Sequence, residues 1–148
     1  MRPIRTALTA FTASAMLTGT IAAQSVSEGG RKLTTSLTGE AERPGPGDPD
    51  GTGTASLTVN PGQERICYQL AVSNIATATA AHIHEGGPDV AGPVRVTLAP
   101  PADGDSEGCA DVSRTLALDI LREPGNYYVN VHNAAFPAGA VRGQLAKK

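Results

Sequence analysis

Three histidines hold most of the chemistry this chain can offer, and two of them are separated by a single residue. His82 and His84 flank Ile83 in Ala81-His-Ile-His-Glu85, and His132 closes Tyr127-Tyr-Val-Asn-Val-His132. Neutral imidazoles are ligands for copper and zinc. Three of them, with a fourth position left to water or a carboxylate, make a chemically sound site for either ion. The same groups have a plainer use: His and Asn on antiparallel strands can hydrogen-bond across the sheet, or tie down a loop, and hold structure only. Both readings stand on the sequence. The candidate metal ligands are His82, His84 and His132, with Asn130, Arg142 and Glu85 as polar support. No Gly-x-Ser-x-Gly elbow, phosphate loop or zinc-protease helix occurs, and no catalytic residue is assigned.

Strand parity is what would gather these side chains. In a strand, residues two apart point to one face. His82 and His84 therefore share a side, as do Tyr128, Asn130 and His132, while Val129 and Val131 take the other. Arg142 and Gln144 have the same parity relative to Val141 and Leu145. If Ile83, Val129 and Val131 fill the core, the imidazoles are expected together on the outer, polar face. Alternation at 33–37, 54–59, 65–72, 80–84, 94–98, 127–132 and 141–145 predicts seven or eight short strands. That is an all-β fold, an antiparallel sandwich or barrel. Residues 113–122 place Leu116, Ile120 and Leu121 at helical spacing, with Ser113 as a cap and Pro124-Gly125 as a stop. They predict one short helix plugging an end of the core. Asp48 and Asp50 resemble the opening of a calcium loop, but no carboxylate follows at the right distance, and ordinary turn chemistry explains them. The loops at 85–92 and 100–108 are where binding specificity is expected.

Composition agrees with this class. Gly (17) and Pro (11) are too frequent in 148 residues for a helical bundle, and favour short strands joined by turns. A net charge of −2 without Lys/Arg runs excludes a nucleic-acid binder driven by phosphate contacts. Residues 1–23 read as a secretory signal peptide: Arg2 and Arg5, then an uncharged stretch, then small residues at Thr20, Ala22 and Ala23. The competing reading, a membrane-spanning helix, suffers from a short and Thr/Ser-rich stretch. A polar leader follows at 24–32 and a folded domain at 33–146. The product is expected to be secreted or periplasmic, with no membrane span after cleavage. Cys67 and Cys109 both fall in the exported part, where one disulfide is the simplest expectation. Free thiols or a metal pair are the alternatives.

Five segments carry a family resemblance in order: Leu37-Thr-Gly-Glu-Ala-Glu-Arg-Pro44 with Gly51-Thr-Gly-Thr-Ala55; Cys67-Tyr-Gln-Leu70; Ala81-His-Ile-His-Glu-Gly86 with Gly92-Pro-Val94; Tyr128-Val-Asn-Val-His132; and Gly139-Ala-Val-Arg-Gly-Gln-Leu145. Together they resemble the CHRD (chordin) domain, in its bacterial single-domain secreted form. The resemblance implies a secreted β-rich module that works as an extracytoplasmic binding or structural unit. Its partner would be an extracellular protein or surface ligand, and it implies no established reaction. A fainter likeness exists to the copper half of copper/zinc superoxide dismutases. It would match His82, His84 and His132 to copper ligands and make a copper or zinc protein the alternative function. No further histidine is present to bridge to zinc, and no His-rich loop follows Glu85.

Overall fold

The computed structural model describes residues 29–146; the expected signal peptide, and the leader up to residue 28, lie outside them. Eight strands follow the alternation of the sequence: β1 (Arg31–Thr38), β2 (Thr52–Asn60), β3 (Arg65–Ser73), β4 (Ala78–Glu85), β5 (Val94–Leu98), β6 (Asp105–Asp111), β7 (Tyr127–Asn133) and β8 (Val141–Gln144). They form one sheet in the order β5-β4-β7-β8-β1-β2-β3-β6. Every pairing in it is antiparallel. The sheet curls until its two edges nearly meet. Ala99, just past β5, donates its N–H to the Tyr68 hydroxyl of β3 at 2.8 Å. Its carbonyl accepts from the Ser106 hydroxyl of β6 at 2.8 Å. The result is a nearly closed barrel, the all-β class expected.

Inward-facing residues fill the barrel. Leu57, Val59, Ile66, Ile83, Val129, Val131 and Val141 have no accessible surface. Removing such side chains from water supplies about 25 cal/mol per Å² of apolar area, the main favourable term in folding. One short helix, α1 (Arg114–Arg122), packs on β2 and β3 and buries Leu116, Ala117 and Ile120 in the same core. Ser113 caps it, its hydroxyl accepting from the Leu116 N–H at 3.2 Å. Among the described residues no helix is long and apolar enough to cross a membrane.

Two boundaries differ from the sequence reading. β1 begins at Arg31, so Arg31 and Lys32, assigned to the leader, are strand residues. β6 occupies much of the stretch expected to be the 100–108 loop. Its residues are small and acidic, with no apolar alternation, because it is an edge strand. Charges on an edge discourage pairing with other chains. β6 is held to β3 in register, Cys67 directly opposite Cys109, and those two residues form the disulfide. At the other seam, β8 lies against β1 with one paired position in register, Arg142 opposite Thr38. Gly143 permits that approach, since a Cβ there would run into the Ser36 carbonyl.

Candidate metal centre

β4 and β7 are neighbours, in a register that places His82 opposite Asn130, His84 opposite Tyr128, and Ala80 opposite His132. His82 and His132 are therefore diagonal across the pair, and His84 is one step further along the same face. A register shift between Ile83 and His84 in the β4–β5 pairing falls at the second histidine. Bulges of this kind re-aim a side chain. The three rings converge, with one ligand nitrogen from each lying within 4.8 Å of the others. Nδ1 of His82 and Nε2 of His132 are 3.1 Å apart. Two nitrogens bound to one tetrahedral ion at 2.0–2.1 Å are roughly 3.4 Å apart. The first pair already has nearly that spacing, and closing the third ring onto it takes on the order of an ångström.

The hydrogen bonds set the tautomers. Nδ1 of His84 is 2.8 Å from the Gly92 carbonyl, and Nδ1 of His132 is 3.1 Å from the Pro137 carbonyl. A carbonyl only accepts, so both Nδ1 atoms carry a proton, and in the neutral tautomer each ring keeps its lone pair on Nε2. That of His132 lies 3.1 Å from both Nδ1 of His82 and the side-chain amide of Asn130. Metal-binding histidines are oriented in this way, the ring nitrogen away from the ion donating to a carbonyl. Nε2 of His84 is buried and has no hydrogen-bond partner in the protein. An unpaired buried polar atom costs about 1–3 kcal/mol unless something engages it. The donor set fits a copper or zinc ion on that observation. Burial first, then the neighbouring imidazoles, pushes the His82 ring below its ordinary value. Burial likewise pushes His132 down, against the pull of its bond to the Pro137 carbonyl. Both rings are thereby kept in the neutral form that coordinates.

The expected outer face is not a solvent-exposed one. His84 is 8% exposed, Asn130 2% and Arg142 1%. Parity does put these side chains outside the barrel, as expected, but two loops then cover them. The loop from residue 86 to 93 is fastened by Arg142, whose guanidinium donates to the Val90 carbonyl at 3.0 Å and the Gly87 carbonyl at 2.8 Å. Gln144 donates to the Gly86 carbonyl at 2.6 Å, and the Tyr128 hydroxyl accepts from the Gly92 N–H at 3.0 Å. The Tyr128 ring stacks on His84, centroids 4.8 Å apart. On the far side, the loop after β1 is joined to the chain before β8 by the Asp48 N–H bonding the Ala140 carbonyl at 2.8 Å.

Of the residues singled out in the sequence, His82, His84, His132, Asn130 and Arg142 are brought together. Glu85 is not: it has the opposite parity and pairs with Arg95 on β5. Cys67 and Cys109 lie elsewhere, lining a broad groove over β3 and β6 that contains none of the histidines. One residue of the region escaped spacing arguments altogether. Glu42 is 3% exposed, has one carboxyl oxygen without a partner, and acts on Arg142 and Asn130. Burial pushes its carboxyl up to about 7, against the pull of Arg142, the Arg43 N–H and the Asn130 amide. Its only signal in the sequence is membership of the 37–44 segment.

Neither the curated proteins nor the solved structures contain a match to this chain. A family model described as the CHRD domain matches residues 33–145, which take in all five motifs and every residue of the centre, and on that match the chain belongs to the CHRD domain family.

Proposed function

We propose that this protein is an exported binding module whose ligand is a single transition-metal ion, copper or zinc, held by His82, His84 and His132. CHRD membership supports a binding or structural module. The observation that carries the metal is the buried, unpartnered Nε2 of His84, on a ring grouped with two other imidazoles whose ligand atoms lie within 4.8 Å of one another. An all-nitrogen donor set suits copper and zinc and is poorly matched to calcium or magnesium, which take oxygen ligands. His84 and His132 would bind through Nε2, oriented by Gly92 and Pro137, and His82 would complete the set. A bound ion supplies Lewis acidity and, for copper, a redox couple. The chain's own contribution is to orient the three rings, with His84 buried and His82 and His132 half-buried. Export is supported by the Cys67–Cys109 disulfide, which persists in oxidising compartments.

The test is a calorimetric titration of untagged protein with zinc and with copper, paired with His84→Ala and His132→Ala. One equivalent is expected in wild type and none at comparable affinity in either variant. Stoichiometry unchanged by both substitutions, or no uptake by wild type, overturns the proposal.

A second reading rests on the hydrogen bonds that Arg142, Gln144 and His84 donate to the 86–93 loop and the one that Tyr128 accepts from it. Here the polar network serves only to present that loop, with exposed Asp89 and Val90, to an extracellular partner. It predicts loss of partner binding on loop substitution with no metal dependence.

A further inference from the structure

One mouth of the barrel carries a cavity that the histidines do not share. Glu85 and Tyr127 are the last pair of the β4–β7 ladder, two residues beyond the pair Ile83 and Val129. They therefore continue the inward rows, whereas the imidazoles lie on the outer ones. α1 crosses this mouth with Ile120 in the core, and its end brings Asp119, Arg122 and the cap residue Glu123 to the rim. Between these groups and Asn126 lies a cavity of about 300 Å³. Mouths of β-barrels are common ligand sites, and this volume is at the lower end of those that take small molecules. The turn from α1 into β7 is tied down: the Gly86 N–H donates to the Asn126 carbonyl at 2.7 Å, and the Gln144 amide to the Gly125 carbonyl at 2.7 Å. The wall is thus set before a ligand arrives, which lowers the cost of binding.

Two observations define what the cavity takes. The first is charge. The carboxylates of Glu85, Asp119 and Glu123 line it against the single guanidinium of Arg122. Arg95, outside the wall, pairs with Glu85. Three acids against two arginines leave one negative charge, and the C-terminal end of α1 adds the negative pole of the helix. The Arg122–Asp119 pair, at 3.6 Å and largely exposed, is of the weak kind that a ligand can replace. The second observation is Tyr127, which is 4% exposed. Its hydroxyl has no hydrogen bond among the described residues, yet it is not one of the sealed atoms without a partner, Glu42 Oε1 and His84 Nε2. The free tip of this buried side chain therefore opens on the cavity it lines. Buried tyrosines ordinarily engage a partner there. Burial first, then the Glu85 and Asp119 carboxylates, push this hydroxyl above its ordinary value, against the pull of Arg95. It stays protonated in negative surroundings.

A bare metal ion does not match. Among the described residues the three histidines alone bring ligand atoms together closely enough to hold one, so these carboxylates surround a space and do not converge on a point. We propose that this mouth of the barrel binds an organic cation, an alkyl chain ending in a guanidinium or ammonium group, its head held by Asp119, Glu123 and the Tyr127 hydroxyl. Guanidinium is the better match, since its planar fork of donors reaches carboxylate and hydroxyl together. The head can come from a free small molecule or from an arginine of a partner protein. The inference is independent of the metal reading.

The experiment titrates wild-type protein with butylguanidinium while following the backbone amide NMR signals of residues 119–127. A saturable shift centred there is expected, and none with butylurea, which has the same shape without the charge. A tripeptide Gly-Arg-Gly with blocked ends separates the sources: binding of both probes points to an arginine of a partner, binding of butylguanidinium alone to a free small molecule. Asp119→Asn combined with Glu123→Gln should weaken binding about tenfold, as for loss of one charge-assisted hydrogen bond. Tyr127→Phe should weaken it while leaving the melting temperature unchanged, because the hydroxyl holds no part of the fold. Absence of a saturable shift in wild type, an equal response to butylurea, or wild-type affinity in the double variant overturns the inference. None of these results bears on zinc or copper uptake, which its own titration tests.

Discussion

The guanidinium carbon of Arg142 lies 3.4 Å from the centre of the Tyr128 ring, and both residues are almost wholly buried. β7 carries the ring between β4 and β8, so Tyr128 meets His84 on one side and Arg142 on the other. This stack joins the imidazole site to the fastening of the 86–93 loop. It also shows why an arginine is needed: a planar group both covers the ring and reaches two carbonyls.

Arg142→Ala leaves the Val90 and Gly87 carbonyls without donors and opens a cavity against Tyr128. Loss of about 3 kcal/mol in denaturant unfolding is expected. Amide exchange should accelerate across residues 86–93 more than in β2 or β3. Uniform acceleration would show that the fastening is not local.

The buried acid gives stability a pH dependence of definite sign in the metal-free protein. Glu42 is held at about 7 when folded against 4.5 as the ordinary value. Between those values the folded state binds the extra proton, so this contribution is full below pH 4.5 and lost as pH rises through 7. Glu42→Gln removes the titration. It should match wild type near pH 4.5 and exceed it by about 3 kcal/mol at pH 8. Parallel stability curves for the two proteins would contradict this.

Gly139 has φ +145°, a conformation open to glycine, and its missing side chain makes room for the Glu42 carboxyl. Gly139→Ala should destabilise by about 1–3 kcal/mol through backbone strain and collision together. Adding Glu42→Ala relieves the collision alone, so the double variant should recover part of the loss. Additive losses would mean the two sites do not touch.

The disulfide joins β3 to an edge strand with little apolar anchoring of its own. Closing a loop across a sequence separation of 42 residues is worth roughly 3–4 kcal/mol in the chain-entropy picture. Reducing agent should lower the melting temperature markedly, and exchange protection should be lost first in β6. A melting curve indifferent to reductant would remove the bond from the stability of the fold.

The all-β class, most of the strands, the capped helix and the cysteine pair were legible because each depends on neighbours in the chain. Period-two alternation says which side of a strand is apolar, and Ser113 lies three residues before the N–H it caps. The same local rule placed His82, His84, Asn130 and His132 on one face. β6 was hidden because an edge strand of small and acidic residues has no apolar period to read. Burial of the centre was hidden for a different reason: parity states the face of a sheet, but loops from residues 39–51 and 86–93, remote in sequence, decide whether water reaches it. Glu42 belongs wholly to that second kind. Nothing in its spacing marks it, and only the meeting of the loop after β1 with β7, β8 and Gly139 turns an ordinary glutamate into a buried acid next to Asn130. Local sequence fixed the orientation of side chains; long-range packing fixed their environment, because desolvation depends on what the rest of the chain lays over them.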